Sequence, residues 1–321
     1  MMRAIVVTEP GGPEVLRYVT VADPRPGPGE VLVAVEAAGV NFIDVQLRSG
    51  RYPARYPLIP GQEAAGRVVE TGPGVDGLRP GDRVGWVNLP GAYAELAVIP
   101  AARAVPLPDE VDATTAATVL LQGMTAHYLV HDSHGVRPGE TVLVQAAAGG
   151  LGQLLVRWVK LLGGRVIGTV SSAEKAEVAR HAGADEVIGY EDVPAQVRRL
   201  TGGEGVAAVY DGVGGPTFEG SLGALRPRGT LVMHGRAGGA VPPLDLERLN
   251  AGGSLSVTRP NLDHFIAGTA ELRTRAAEVL DRVATGELTV SCGAVHPLER
   301  AADAHARLES RRSTGKLLLT T

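Results

Sequence analysis

One stretch of this chain sets small residues, hydroxyls and an ammonium at a spacing that could hold phosphates. Its turn reads Ala147-Ala148-Gly149-Gly150-Leu151-Gly152, a glycine motif of the form A-x-G-x-x-G. Gly149 would let the backbone approach a pyrophosphate closely, and Gly152 would let a helix pack tightly on the preceding strand. A helix starting here offers free N–H groups and the positive end of its dipole to an anion. Enzymes that use NAD place Asp or Glu about 20 residues further on, for the ribose 2′-hydroxyl. Here Ser171 and Ser172 stand there, with Lys175 one turn later. Hydroxyls plus an ammonium suit a 2′-phosphate, which points to NADPH over NADH. Blander readings stand beside these. The turn could be a small-residue connector without a ligand. Ser171 and Glu174 could form a capping box, with Ser172 as the equal alternative cap and Lys175 simply solvated.

Such residues work only if a strand, a turn, a helix and a second strand position them. Residues 141–145 form an apolar run, 151–162 carry a helical period, Gly163-Gly164 ends it, and 165–170 form a β-branched run. That is the first βαβ unit of a dinucleotide-binding fold. The pattern continues with a helix to about residue 182 and a strand at 186–189, followed at once by Tyr190. A helix at 193–200 and strands at 206–211, 229–234 and 255–258 complete a doubly wound parallel sheet. Gly212, Gly214, Gly215 and Gly235 follow strand ends, where a cofactor would cross the sheet edge, and are equally ordinary turn residues.

The chain of 321 residues is long enough for two domains. Its first third is rich in Val, Gly and Pro, with strands expected at 4–8, 15–21, 30–37, 65–71 and 83–87, a compact β barrel. Near the other end a helix at 271–285, a short strand at 288–290, a helix from Pro297 and a last strand at 317–320 return to that barrel. The expected division is 1–122 with 261–321, and 123–260, with hinges near Gln122-Gly123 and Pro260-Asn261. A net charge of −4 and no long Lys/Arg run give no footprint for nucleic acid. Cys292 is the sole cysteine, which fits a reducing compartment. No run approaches the roughly 18 apolar residues of a membrane span, and the N-terminus lacks the apolar core of a signal peptide. A cytoplasmic protein is expected. His127 and His131 stand four apart on an expected helix but lack the glutamate of HExxH, so they read as surface or core residues, as does His134.

Several stretches together carry a family resemblance: residues 38–44 (AGVNFID), 48–53 (RSGRYP), 60–66 (PGQEAAG), 78–84 (LRPGDRV), 146–152 (AAAGGLG) and 257–260 (VTRP). With the order of β domain, dinucleotide unit and return, they resemble the zinc-independent quinone oxidoreductase branch, zeta-crystallin included, of the medium-chain dehydrogenase/reductases. The resemblance implies a GroES-like β-barrel domain beside a Rossmann domain. Positions that hold catalytic zinc in the metal-dependent relatives are matched here by Asn41, Gln62 and Gln122, amides that replace thiolate and imidazole poorly. No metal is therefore expected. Asn41 would touch the nicotinamide side of the cofactor. A tyrosine frequent in the branch is replaced by Gln46, leaving Tyr52 as the candidate proton donor and Gln62 as a further candidate catalytic residue. Asp44 and Glu63 read first as structural hydrogen-bond partners.

Cofactor contacts implied by the resemblance fall on Thr125, Ala148, Gly149, Gly150, Leu151, Gly152, Ser171, Lys175, Tyr190, Gly235, Arg236 and Arg311. The activity implied is metal-free hydride transfer from NADPH to a quinone or an α,β-unsaturated carbonyl, in a homodimer. An enoyl-thioester reductase of the same superfamily shares the motifs. An NADPH-binding structural or RNA-binding protein, as some zeta-crystallins are, is the alternative from another class; the acidic net charge weighs against RNA.

Overall fold

The computed structural model describes residues 1–289, 291–310 and 313–321. In chain order the first elements are β1 (Met2–Val6), β2 (Arg17–Val21), β3 (Glu30–Val40), α1 (Phe42–Arg48), β4 (Glu63–Thr71), β5 (Arg83–Val87), β6 (Leu96–Pro100), β7 (Val105–Pro106) and α2 (Ala113–Tyr128). Next come β8 (Thr141–Val144), α3 (Gly150–Leu161), β9 (Arg165–Thr169), α4 (Ala173–His181), β10 (Glu186–Ile188), α5 (Val193–Leu200), β11 (Val206–Asp211), α6 (Gly215–Gly223) and β12 (Leu225–Met233). The last are α7 (Glu247–Ala251), β13 (Ser256–Thr258), α8 (Leu262–Phe265), α9 (Thr269–Ala284), β14 (Cys292–Pro297), α10 (Ala301–Glu309) and β15 (Lys316–Thr320). Two compact units result, Met1–Gly123 with Ile266–Thr321, and Met124–Phe265.

In the first unit a seven-stranded sheet runs β14-β15-β3-β4-β5-β7, with β6 also paired to β3. The long strand β3 is shared. Residues 30–34 pair with β6 and residues 37–40 with β15, while β4 lies along its other edge. Bulges between Leu32 and Val33 and between Val35 and Ala37 bend it between these partners. Its inward side chains, Val31, Val33 and Val35, join Trp86, Tyr93, Ile99, Leu317 and Leu319 in one buried core. All the pairings in this sheet are antiparallel except β14–β15.

The second unit is a six-stranded parallel sheet in the order β10-β9-β8-β11-β12-β13. Numbered within the unit this is 3-2-1-4-5-6, the doubly wound order whose switch point lies between β8 and β11. All six residues of β11 are buried, as expected of a parallel strand covered on both faces.

Three expectations need correction. Asn41 and Asp44, which the sequence sets on one short turn, instead cap and open helix α1, because the Asp44 carboxylate accepts the Asn41 N–H at 2.9 Å and seeds its first turn. At residues 122–123 helix α2 runs unbroken, and the first segment of the first unit ends at Gly123. Gly123 is there for packing, since a Cβ would lie 2.5 Å from Val279 Cγ1. The short strand expected at 288–290 is absent at Leu288 and Thr289, and Val290 lies outside the described residues. The strand is instead Cys292–Pro297, whose half-exposed pattern hid it and whose partner is β15. Finally, β12 begins at Leu225, ahead of the expected residue 229, because Arg228 takes φ 61 and lets the chain kink on into the ladder.

Candidate functional site

The second unit's site is the turn between β8 and α3. Gly152 has to be glycine, since a Cβ would meet Ala146 O at 2.3 Å and Ala147 Cα at 2.8 Å. Gly149 faces open space, with only Ala146 O at 3.3 Å from a Cβ placed there. It is the N-cap of α3, and no side chain caps that helix. The turn carries strain, because Ala146, a non-glycine residue, sits at φ 53.

A chain of buried polar groups holds that strained turn. Thr169 Oγ accepts the Ala146 N–H at 3.1 Å and donates to Gln145 Oε1 at 2.6 Å. Gln145 Nε2 donates to Ser221 Oγ at 2.9 Å, and Ser221 donates to Asp211 Oδ2 at 2.7 Å. Asp211 also accepts from Thr217 Oγ and from the N–H groups of Val213 and Gly214. The chain thus crosses the switch point from the end of β11 to the glycine turn. Sequence reasoning missed it. The available signal was a polar residue closing each buried strand: Gln145, Thr169 and Asp211.

At the end of β9 a cleft of about 470 Å³ is lined by Ser171, Ser172, Gly189, Tyr190 and Glu191, among others. Ser172 is the cap of α4, accepting the Lys175 N–H at 3.3 Å. Ser171 is therefore released from the capping box considered for it with Glu174, and Lys175 Nζ donates to its Oγ at 3.3 Å. Tyr190 lines the same cleft and is 38% exposed. Gly235 follows β12 and lies against the Gly212 backbone, where a Cβ would be 2.5 Å from the carbonyl oxygen. Arg236 and Thr125 are half-buried in this unit, Thr125 on α2. Arg311 lies outside the described residues. The rings of His127 and His131 lie 4.4 Å apart, and both meet Trp158 edge-on.

In the first unit the β15–β3 register sets Leu317 opposite Val40, so the preceding Lys316 arrives beside Asn41. Lys316 Nζ donates to Asn41 Oδ1 at 2.7 Å, Gln122 Oε1 at 2.7 Å and Glu63 Oε2 at 2.5 Å. Gln122 Nε2 donates to Asn41 Oδ1 at 2.5 Å, and Asn41 Nδ2 donates to Gly39 O and Glu63 Oε2, each at 3.2 Å. Glu63 Oε1 accepts the Leu121 N–H of α2 at 2.7 Å. Asn41 is 4% exposed and both ends of its amide are engaged. Tyr52 and Gln62, both half-buried, are anchored through backbone: Tyr52 N–H to Gln46 O at 3.1 Å, and Asn88 N–H to Gln62 O at 2.7 Å. In the sequence Lys316 simply precedes the strand expected at 317–320. A cation opening an apolar strand and an acid inside the small-residue run 60–66 were the signals that both are buried and paired.

A second network starts at Asp44, which accepts from Tyr93 Oη at 3.1 Å. Tyr93 Oη lies 3.1 Å from His305 Nε2, and His305 Nδ1 lies 3.2 Å from Arg48 Nη1. A guanidinium can only donate, so His305 Nδ1 accepts, Nε2–H donates to the Tyr93 oxygen, and the Tyr93 hydroxyl donates to Asp44. Arg48 also forms a bidentate pair with Glu309 at 3.0 Å. Burial raises the Asp44 carboxyl from its ordinary 3.8 to about 7, against the lowering influence of the Asn41 N–H and Lys316. Burial, and then Arg48, lower the His305 imidazole to about 3. Burial also lowers the Lys316 ammonium below its ordinary value, with Glu63 opposing.

Two family descriptions match the chain: an alcohol dehydrogenase GroES-like domain over residues 27–109, and a zinc-binding dehydrogenase over residues 150–284. A quinone oxidoreductase of Pseudomonas aeruginosa is 43% identical, the match covering 99% of each chain. A 2-haloacrylate reductase of a Burkholderia species is 40% identical, again over 99% of each. The structure of the Escherichia coli quinone oxidoreductase complexed with NADPH is 40% identical, superposes with a TM-score of 0.97, and is covered over 100% of its length by 99% of this chain.

Proposed function

Because the chain belongs to the zeta-crystallin-like quinone oxidoreductases of the medium-chain dehydrogenase/reductase superfamily, we propose that it is an NADPH-dependent quinone reductase. The observation that carries the cofactor choice is Lys175 Nζ on Ser171 Oγ, in a cleft shared with Tyr190. These groups suit a 2′-phosphate, while the exposed Glu191 on the cleft is no ribose acceptor at the end of β9. The glycine turn fits a pyrophosphate. Its helix end is uncapped by side chains, Gly149 is open, and a Cβ on Gly152 would disrupt the turn.

When bound, NADPH supplies a hydride from nicotinamide C4 to a quinone or to the β-carbon of an α,β-unsaturated carbonyl. The protein's own part is to bind and orient. The N–H groups of Ala148, Gly150, Leu151 and Gly152 would hold the pyrophosphate, the Gly149 N–H being given to Ala146 O at 2.9 Å, and Ser171, Lys175 and Tyr190 would hold the 2′-phosphate. Thr125, Gly235, Arg236 and Arg311 are assigned cofactor contacts by family resemblance alone. So is Asn41 on the nicotinamide side, and Gln62 is a candidate catalytic residue on the same ground. The reduced product needs a proton, which Tyr52 or solvent would give.

The decisive measurement is the initial rate of NADPH oxidation with a 1,4-quinone, with NADH in parallel and EDTA present. Turnover with NADPH, little with NADH and none lost to EDTA is expected. Turnover with NADH alone would end the 2′-phosphate argument. A second reading, reduction of an activated C=C, is favoured by the 2-haloacrylate reductase relative. An enone and an enoyl thioester run beside the quinone would separate the two. The same reading makes the protein a cytoplasmic homodimer. The homodimer is supported by strand β13, which among the described residues pairs only with β12, and light scattering tests it.

A further inference from the structure

Lys316 has no part in the reading above, yet its surroundings are built with care. Its ammonium has three protons, and each meets an oxygen: Asn41 Oδ1 at 2.7 Å, Gln122 Oε1 at 2.7 Å and Glu63 Oε2 at 2.5 Å. The three oxygens come from separate elements: the residue before α1, helix α2 and strand β4. The fourth wall is Gly39, where a Cβ would lie 2.3 Å from Glu63 Oε2, 2.8 Å from Ala117 O and 2.8 Å from Lys316 Cε. Lys316 is 3% exposed and Glu63 fully buried. A positive charge ringed by oxygens at these distances is how a small cation is held. Here the cation is tethered to the chain, and its tether is the last strand of the sheet.

The ring is directional. Asn41 Oδ1 receives two donors, Lys316 and Gln122, while Asn41 Nδ2 gives to two acceptors, Gly39 O and Glu63. The two ends of an amide are nearly the same shape, so only its hydrogen-bond partners fix which way it points. Remove the ammonium and Gln122 Oε1 loses this donor, Asn41 Oδ1 keeps Gln122 alone, and Glu63 keeps a buried charge without its cation. Asn41 and Gln122 are also two of the positions matched to zinc ligands in related dehydrogenases; in this chain they hold an ammonium.

We infer that Lys316 is a positioning residue: its ammonium fills a cation cage formed by Asn41, Glu63 and Gln122, and through that cage it fixes the orientation of the Asn41 and Gln122 amides. Its effect on turnover rests on the quinone-reductase reading; the cage itself does not. Lys316→Ala leaves the cage with room for a short alkylammonium. Adding n-propylammonium chloride to that variant should raise its Tm by several degrees above an equal concentration of sodium chloride, with no such gain in the unsubstituted protein. No gain in the variant overturns the cage, whatever the enzyme's activity.

The kinetic half uses Lys316→Ala/Glu63→Gln, which removes both buried charges and so remains folded where the single variant fails. Its kcat with NADPH and a 1,4-quinone should fall at least tenfold. Its KM for NADPH should change less than threefold, because the cleft at Ser171 and Lys175 is untouched. A folded double variant with unchanged kcat overturns the positioning role. An unsubstituted protein without turnover on quinone refutes the activity reading and leaves the Tm result to decide the cage.

Discussion

Lys175 bears directly on cofactor choice. Lys175→Ala removes an ammonium that reaches Ser171 Oγ. A charged hydrogen bond contributes about 1.5 kcal/mol or more, so the Kd for NADPH should rise at least about tenfold. The Kd for NADH should stay within twofold, and fluorescence titration of both checks the difference. Gly152→Ala acts on geometry. Its Cβ would arrive 2.3 Å from Ala146 O, and overpacking of this kind costs about 1–3 kcal/mol. A lower Tm together with lost NADPH binding is the expected result. Both residues were legible from sequence, because their role depends on spacing within one strand–turn–helix unit. The cage was not: Lys316 and Glu63 stand 253 residues apart, and no local pattern links them. Nor was the occupation of Asn41, whose type suggested an outward role while its partners lie inside the first unit.

Helices α1 and α10 are tied through Arg48, His305, Tyr93 and Asp44, and the ends of that tie respond to pH in opposite directions. The Asp44 carboxyl is raised to about 7. Its contribution to stability is full below about 4, and is lost as pH rises to about 7 and the unfolded chain ionises first. The His305 imidazole is lowered to about 3. Its contribution is full above about 6.5, and is lost as pH falls and the unfolded imidazole takes a proton the folded one refuses. Each is worth on the order of 4 kcal/mol, so between about pH 4 and 6.5 they largely cancel. Asp44→Asn should uncover the histidine, giving a Tm that drops more steeply on acidification from 6.5 to 4. His305→Gln should uncover the aspartate, giving a Tm that declines from pH 4 to 7. Calorimetry across that range checks both, and a variant curve parallel to the parent's would deny the opposition. At this scale the parallel strands were legible because they are continuous apolar runs. Strand β14 and helix α1 were not, since the first owes its existence to β15 and the second to a cap made by Asn41 and Asp44.

Across the whole molecule the two units differ in how the chain supplies them. Residues 124–265 form the parallel sheet from contiguous sequence. The first unit needs β15, which lies between β14 and β3. A fragment of residues 124–265 should therefore melt cooperatively by circular dichroism, while residues 1–123 alone should not. The alternation of β domain, dinucleotide unit and return was legible in the sequence. The position of the last strand inside the sheet was not, because register between distant strands is set by packing rather than by turns. That placement has a consequence during synthesis. Asn41 leaves the ribosome 275 residues ahead of Lys316, an interval of roughly 14–55 s at ordinary rates of translation. Throughout it residues 37–40 present an open apolar strand edge, a template for pairing with neighbouring nascent chains. That edge is covered only once residues 317–320 emerge and pair with it.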